Sequence, residues 1–151
     1  MYNHIKEIVA DSEKTGKPIS ELIIEQECQM SGLPREKVWN KMKYNLETMR
    51  DAVKKGRSGN GVFSSTGLTG GEAVKIKKYI EKGHTLSGDT IMTAVQNAVA
   101  TNEVNAAMGV ICATPTAGSS GTLPGVLFLL EKRLNLIEEQ MIRFLFTAGG
   151  F

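Results

Sequence analysis

The sequence predicts an all-α fold, a single helical domain of about seven helices with two loops rich in Gly, Ser and Thr. Apolar residues recur every three or four positions over most of the chain, which is the spacing of a helix with one buried face. No stretch alternates apolar and polar residues for long enough to predict a strand, although 108–114 is compatible with extended backbone. At 151 residues the chain is long enough for one sizeable core.

The N-terminal part predicts three amphipathic helices, over 2–14, 18–31 and 34–56. Pro18 and Pro34 stand where the second and third helices begin, because proline is favoured in the first turn of a helix. A glycine follows each helix and ends it. The third helix has the clearest apolar face, formed by Val38, Met42, Leu46, Met49 and Val53.

Four further helices follow a Gly-rich loop that begins at residue 57. The second of them is rich in alanine, which indicates close packing against its neighbours, and we place it at the centre of the domain. The four helices are predicted over 71–82, 90–108, 126–134 and 138–147.

Within one domain over 1–151, residues 1–57 form a charged helical layer, since they hold 11 basic and 9 acidic residues. Residues 58–151 supply the Gly-rich loops and the central helices. The net charge of +2 and an aromatic content of 6% favour neither nucleic acid nor a membrane surface. The N-terminus lacks the apolar core of a secretory signal, so we expect a cytoplasmic protein. The apolar Gly-Gly-Phe ending predicts a piece of a longer chain.

The charge-free stretch Val104–Leu130 is the first candidate site. It holds 27 residues without a charged side chain. A membrane helix is excluded because prolines and glycines interrupt the stretch every few residues. We therefore predict a buried, irregular loop whose backbone approaches a ligand closely. The interrupting residues are Pro115, Gly118, Gly121, Pro124 and Gly125.

A second candidate is the segment 64–71, SSTGLTGG, which runs into a predicted helix start. Backbone amides at a helix N-terminus favour an anion, so a phosphate or a substrate carboxylate is one interpretation. A plain hydroxyl-capped loop is the other, because the segment lacks the lysine of a nucleotide-binding loop.

Two further features lie near the charge-free stretch. Asn102 and Asn105 are three residues apart and share a helix face, which predicts either a polar site or a contact that pins the helix to a loop. Cys112 has no neighbouring His or Asp in the sequence to make it a nucleophile. As a metal ligand it needs others, because an iron-sulfur cluster takes three or four cysteines. Cys28 is interpreted as a small packing residue in the second helix.

Three segments of this sequence occur in order in a known family. FSSTGLTGGEAV, LSGDTIMTAVQNAVATNEVNAAMGVICATPTAGSSGTLPG and EEQMIRFLFTAG resemble the alpha chain of the two-chain, iron-sulfur-dependent L-serine dehydratases. The resemblance covers nearly the whole chain. Because that alpha chain continues into a Gly-Cys-Gln segment with further cysteines, these residues resemble its N-terminal half.

The resemblance implies a lyase that uses no pyridoxal phosphate and converts L-serine to pyruvate and ammonia. In the complete enzyme a [4Fe-4S] cluster is expected to act as a Lewis acid on the serine hydroxyl, and a dehydratase beta chain and the C-terminal half are the expected partners. One departure stands out. Family members place a cluster cysteine in the turn after Pro-Thr, where this sequence has Ser119-Ser120-Gly121-Thr122. Three alternatives stay open: Cys112 is a ligand, with the other ligands expected beyond residue 151, the cluster is bound otherwise, or it is not bound at all.

Carried over to this chain, the resemblance implies a set of substrate-binding residues but no general base. His4 and His84 are interpreted as ordinary surface histidines. The alternative hypothesis is a non-catalytic helical module that binds anions or assembles with a partner chain. The expected substrate-binding residues are Ser64, Ser65, Thr66, Gly67, Thr69, Gly70, Asn102, Asn105, Thr116, Gly118 and Ser119.

Overall fold

A computed structural model describes residues 2, 4–114, 116 and 118–151. Over these residues the chain is all-α, with seven helices and no strand, as the sequence predicts. The helices are α1 (Ile5–Thr15), α2 (Ile19–Ser31), α3 (Arg35–Ser58), α4 (Glu72–Glu81), α5 (Gly88–Ala106), α6 (Ser119–Leu134) and α7 (Glu138–Gly149). No helix in the described part of the chain is long and apolar enough to span a membrane.

The chain divides into two compact units, Met1–Leu46 with Ile137–Phe151, and Glu47–Leu136. We call them the terminal unit and the central unit. The assignment of all 151 residues to one domain with a charged layer over 1–57 stays a prediction.

The terminal unit packs α2 against α1 and α7. Its core includes Ile24, Leu46, Met141 and Ile142, each exposed by 1% or less. At the surface of this unit, the carboxylate of Glu21 accepts hydrogen bonds from both Arg35 and Arg143. Those bonds lower the pKa of Glu21.

The central unit is organised around α5, which packs against both α4 and α6. A core cluster forms where α5 ends: Ala52, Val62 and Val104 are buried together, and Ile111 packs against them. The start of the loop after α3 therefore lies beside the last turn of α5. The apolar face predicted for α3 is confirmed, since four of its five members are buried.

The irregular part of the charge-free stretch is shorter than predicted. Helix α5 ends at Ala106, close to the predicted end at 108, but α6 begins at Ser119, seven residues before the predicted start at 126. The connection between them is not buried as predicted, since Met108 and Val110 are exposed by 91% and 75%.

The reason for the longer α6 is its packing. Pro124 lies inside the helix, where it removes a backbone donor and is normally unfavourable. Gly121 and Gly125 are one turn apart and face α5 so closely that a Cβ atom on either would lie within 2.9 Å of an α5 carbonyl oxygen. Burial against α5 therefore stabilises a helix that local propensity does not favour.

Candidate functional site

The C-terminal half of α5 carries buried polar side chains that connect it to its neighbours. Gln96 donates from Nε2 to the carbonyl oxygen of Ala73 in α4 at 3.1 Å. Asn97 donates from Nδ2 to the carbonyl oxygen of Gly125 in α6 at 3.5 Å. Both side chains are only 1% exposed, so these bonds satisfy groups that water cannot reach.

Glu103 supplies the most unusual contact of α5. Its carboxyl is 4% exposed, and Oε1 accepts the backbone amides of Glu72 and Ala73, the latter at 3.3 Å. A side chain from α5 thus caps the N-terminus of α4, where an acceptor is favoured by the free amides and by the helix dipole. The other oxygen, Oε2, is buried and meets no hydrogen-bond donor in the described residues.

The carboxyl of Glu72 lies beside that of Glu103, and each group shifts the pKa of the other. Burial raises the pKa of Glu103, and the neighbouring Glu72 carboxyl acts in the same direction. The neighbouring Glu103 carboxyl and the hydrogen bond from the Gly70 amide lower the pKa of Glu72. These opposite shifts favour the neutral form of Glu103 and the ionised form of Glu72.

The segment 64–71 is an exposed loop that closes on itself. The amide of Ser64 donates to the carbonyl oxygen of Thr69 at 2.9 Å, and the amide of Gly67 donates to that of Ser64 at 2.9 Å. The Ser64 hydroxyl accepts the amide of Thr69 at 3.2 Å. The α4 amides at 72 and 73 are already bonded to Glu103, so an external anion at this loop has to use hydroxyls or the remaining amides. Ser64, Ser65, Thr66, Gly67, Thr69 and Gly70 all lie in this loop.

The side chains of Asn102 and Asn105 are exposed, and neither makes a hydrogen bond within the described residues. Asn102 lies against α6, because a Cβ atom on Gly121 would be 2.9 Å from its Oδ1. Of the two interpretations left open by the sequence, a buried clamp does not describe these amides. They remain free to bind a ligand.

Hydroxyls close to α6 in sequence hold the turn before it, and the amide of Ser119, the first residue of the helix, donates to the Thr116 hydroxyl at 3.3 Å. Thr114 and Ser119 share a hydrogen bond of 2.6 Å, and Ser119 Oγ is 2.7 Å from the carbonyl oxygen of Thr116. Gly118 precedes the helix and is exposed. Pro115, one of the residues that interrupt the charge-free stretch, lies outside the described residues.

Cys112 is half-buried in the connection between α5 and α6. Its sulfur lies 3.6 Å from the carbonyl oxygen of Ala113, and burial raises the pKa of the thiol. Metal ligation requires the thiolate, which this environment disfavours. Among the described residues, no three or more His, Cys, Asp or Glu side chains lie together in a way that could hold a metal ion. These residues alone therefore do not fit a [4Fe-4S] cluster, and the ligand role of Cys112 stays a prediction.

The helices that follow the two Gly-rich segments both contact the C-terminal half of α5. The first residues of α4, after the loop 64–71, meet it through Glu103, and the start of α6 meets it where Gly121 lies against Ala98 and Asn102. In the sequence, Glu103 stands out only as the last charged residue before the charge-free stretch. It is also the one charged residue of α5 after Asp89, and this isolation among apolar and amide side chains is the signal that indicates its burial.

The chain matches the family model described as serine dehydratase alpha chain over residues 14–151. It is 52% identical, over its full length, to the probable L-serine dehydratase alpha chain of Bacillus subtilis (strain 168), of which it covers 50%. It is 31% identical over 135 residues to the L-serine dehydratase alpha chain of Peptoniphilus asaccharolyticus, a match that covers 89% of this chain and 46% of that relative.

The geometry defines an all-α protein in which two helices, each preceded by a Gly-rich segment, pack on one central helix. The chain belongs to the serine dehydratase alpha chain family. The chain spans about half the length of these relatives. No solved structure matches it.

Proposed function

We propose that this chain forms the N-terminal half of an L-serine dehydratase alpha subunit, which converts L-serine to pyruvate and ammonia in the cytoplasm together with a beta chain. The observation that carries the proposal is the match over 14–151 to the family model, because this range includes both Gly-rich segments and the helix α5 against which the helices that follow them pack. The relatives' names supply the substrate.

The proposed contribution of this chain is to bind and orient the amino acid. The exposed amides of Asn102 and Asn105 can donate to a carboxylate, as can the hydroxyls of the loop 64–71. The ionised carboxylate of Glu72 can accept the substrate ammonium group. Fixing both ends of serine holds its Cα–H and its hydroxyl in a constant orientation, which lowers the entropic cost of the elimination.

The reaction removes the α proton and the hydroxyl of serine as water, which leaves 2-aminoacrylate. This enamine tautomerises to an imine, and water then converts the imine to pyruvate and ammonia. The [4Fe-4S] cluster stays a proposal for the complete enzyme, with most of its ligands expected beyond residue 151. No step assigned to the residues of this chain depends on it.

A chimeric alpha chain tests the proposal. This chain replaces the matching N-terminal half of the Bacillus subtilis relative and is assembled anaerobically with that organism's beta chain. We expect pyruvate to form from L-serine. Lack of turnover in the chimera, under conditions in which the unmodified relative is active, would support the alternative of a non-catalytic binding or assembly module.

The chimera also tests the role of Asn102. Asn102→Ala is expected to raise KM for L-serine by about tenfold, because one hydrogen bond to a charged group is lost. Asn40→Ala is the matched control, since Asn40 is exposed on α3 in the terminal unit. An unchanged KM in Asn102→Ala would remove this residue from the substrate site.

A further inference from the structure

A cavity of about 300 Å³ lies between α3 and α6 in the central unit, away from the residues assigned to substrate. Four of the side chains that line it are cationic and one is a carboxylate, which leaves a local charge of +3. The lining residues are Arg50, Val53, Lys54, Arg57, Phe128, Glu131 and Lys132.

Arg50 is the one cation whose charge is balanced inside the cavity. It donates from Nη1 and Nη2 to the two carboxylate oxygens of Glu131, at 2.8 Å each. Its guanidinium carbon also lies 4.9 Å from the centre of the Phe128 ring. The two contacts hold the guanidinium in one orientation.

Arg57 is held without being neutralised. Its Nη1 donates to Oδ1 of Asn97 at 3.2 Å, and Asn97 is 1% exposed and fixed on α5. An amide orients the guanidinium but supplies no negative charge. The remaining donors of Arg57 are therefore positioned by the protein and lack a counter-ion.

Lys54 and Lys132 complete the unbalanced charge. Neither they nor Arg57 forms an ion pair within the part of the chain that the structure describes. Exposed lysines on a convex helix face are ordinary and need no ligand. Here the like charges surround one concave space, where their repulsion is relieved by binding an anion.

We propose that this cavity binds a small, doubly charged oxyanion, carried either by a phosphate group or by a dicarboxylate. Arg57 would provide the oriented donors, and Lys54 and Lys132 would provide point charges on either side. The volume is at the lower end for small-molecule sites. L-Serine is a zwitterion without net charge, and its ammonium group would be repelled, so this site is distinct from the proposed substrate site and does not depend on the proposed function.

The test uses the full 151-residue chain at low ionic strength. Inorganic phosphate and succinate are titrated separately by calorimetry, and the side-chain Nε–H signal of Arg57 is followed by NMR. We expect saturable binding of at least one anion, a shift of the Arg57 signal, and no response to L-serine. The tighter of the two anions identifies the phosphate or the dicarboxylate as the recognised form.

Charge-matched variants locate the site. Lys54→Gln/Lys132→Gln should weaken binding by at least about tenfold, since two of the three unbalanced charges are lost. Both lysines are exposed, so we expect the double substitution to leave folding unaffected. Lys78→Gln/Lys82→Gln removes two exposed charges outside the cavity, one in α4 and one directly after it, and should leave the affinity unchanged.

Three results would overturn the proposal. They are absence of saturable binding for both anions, equal weakening in the two double variants, and displacement of phosphate by L-serine. Binding of poly-glutamate through Lys54 and Lys132, when neither small anion binds, would also overturn it and would assign the cavity to an acidic protein segment.

Discussion

Helices α4 and α6 both pack against α5, but the polar groups at their N-termini are hydrogen-bonded in different ways. Both α4 and α6 follow a segment rich in Gly, Ser and Thr. At α6 the hydroxyls of Thr114, Thr116 and Ser119 bond to one another and to the local backbone. At α4 the amides are bonded by Glu103, which is about thirty residues away along the chain.

This difference indicates which N-terminus depends on tertiary structure. The α6 cap forms from neighbours in sequence, so it needs only the local turn. The α4 cap requires α5 to be docked and Glu103 to be buried, which costs desolvation unless the carboxyl is neutral. Disrupting each cap should therefore have a different cost and a different pH dependence.

The largest effect is expected from Glu103→Ala. Removing the carboxyl leaves the amides of Glu72 and Ala73 without their acceptor and opens a cavity, so stability should fall by about 3 kcal/mol. Urea unfolding followed by circular dichroism measures it. Glu47→Ala, an exposed glutamate of α3, is the control and should stay within about 0.5 kcal/mol of the parent. Equal losses in both variants would mean that Glu103 is not a cap.

A second prediction concerns the packing of α6 on α5. Gly121→Ala places a methyl group 2.8 Å from the carbonyl oxygen of Ala98, and the loss of stability should be about 2 kcal/mol. Gly118→Ala is the matched control, because a Cβ atom there has open space and its φ of −68° suits alanine. Thermal unfolding of both variants measures the loss of stability. If Gly121→Ala were as stable as the parent, the result would show that the helices can separate slightly.

The local α6 cap should matter less. Ser119→Ala removes the hydroxyl that joins Thr114 to the carbonyl of Thr116, with an expected loss of about 1 kcal/mol. Ser65→Ala, at an exposed loop hydroxyl, should cause almost no change in the same urea experiment. A loss in Ser119→Ala as large as that in Glu103→Ala would remove the distinction between the two caps.

The smallest effect, and the most specific, is the pH dependence of Glu103→Gln. Glutamine keeps an acceptor for the α4 amides, but it cannot ionise. Because burial raises the pKa of Glu103 in the folded protein, the stability that its neutral form contributes is present below the ordinary pKa and is lost as pH rises through the raised pKa. The parent and Glu103→Gln should match in stability at acidic pH, and the variant should become the more stable one as pH rises.

Unfolding curves between pH 4 and pH 8, compared at each pH, measure this difference. Glu47→Gln should show no such divergence from the parent. A parent that gains stability over Glu103→Gln as pH rises would mean that Glu103 is ionised in the folded state.

The helices could be predicted well where their apolar faces are regular. In α3, Val38, Leu46, Met49 and Val53 recur at helical spacing and are buried. The start of α6 could not be predicted in this way, because Gly121, Pro124 and Gly125 oppose helix formation locally. Their helical state depends on contact with Ala94 and Ala98 of α5, which local propensity does not contain.

The candidate site shows the same division. The hydroxyls of the loop 64–71 and the pair Asn102 and Asn105 were identified from composition and spacing, and their role in binding substrate stays a prediction. Glu72 and Glu103 were not identified as a pair, because they are 31 residues apart in sequence and their contact depends on how α4 docks on α5.

The sequence by itself determined the all-α class, the number of helices and the family resemblance, because helix periodicity and motif content are properties of neighbouring residues. The tertiary structure alone decided that α6 is helical from Ser119, that a buried carboxyl caps α4, and that Arg57 is held in a cationic cavity. Each of these depends on a contact between distant segments, where close packing and exclusion of water outweigh local preference.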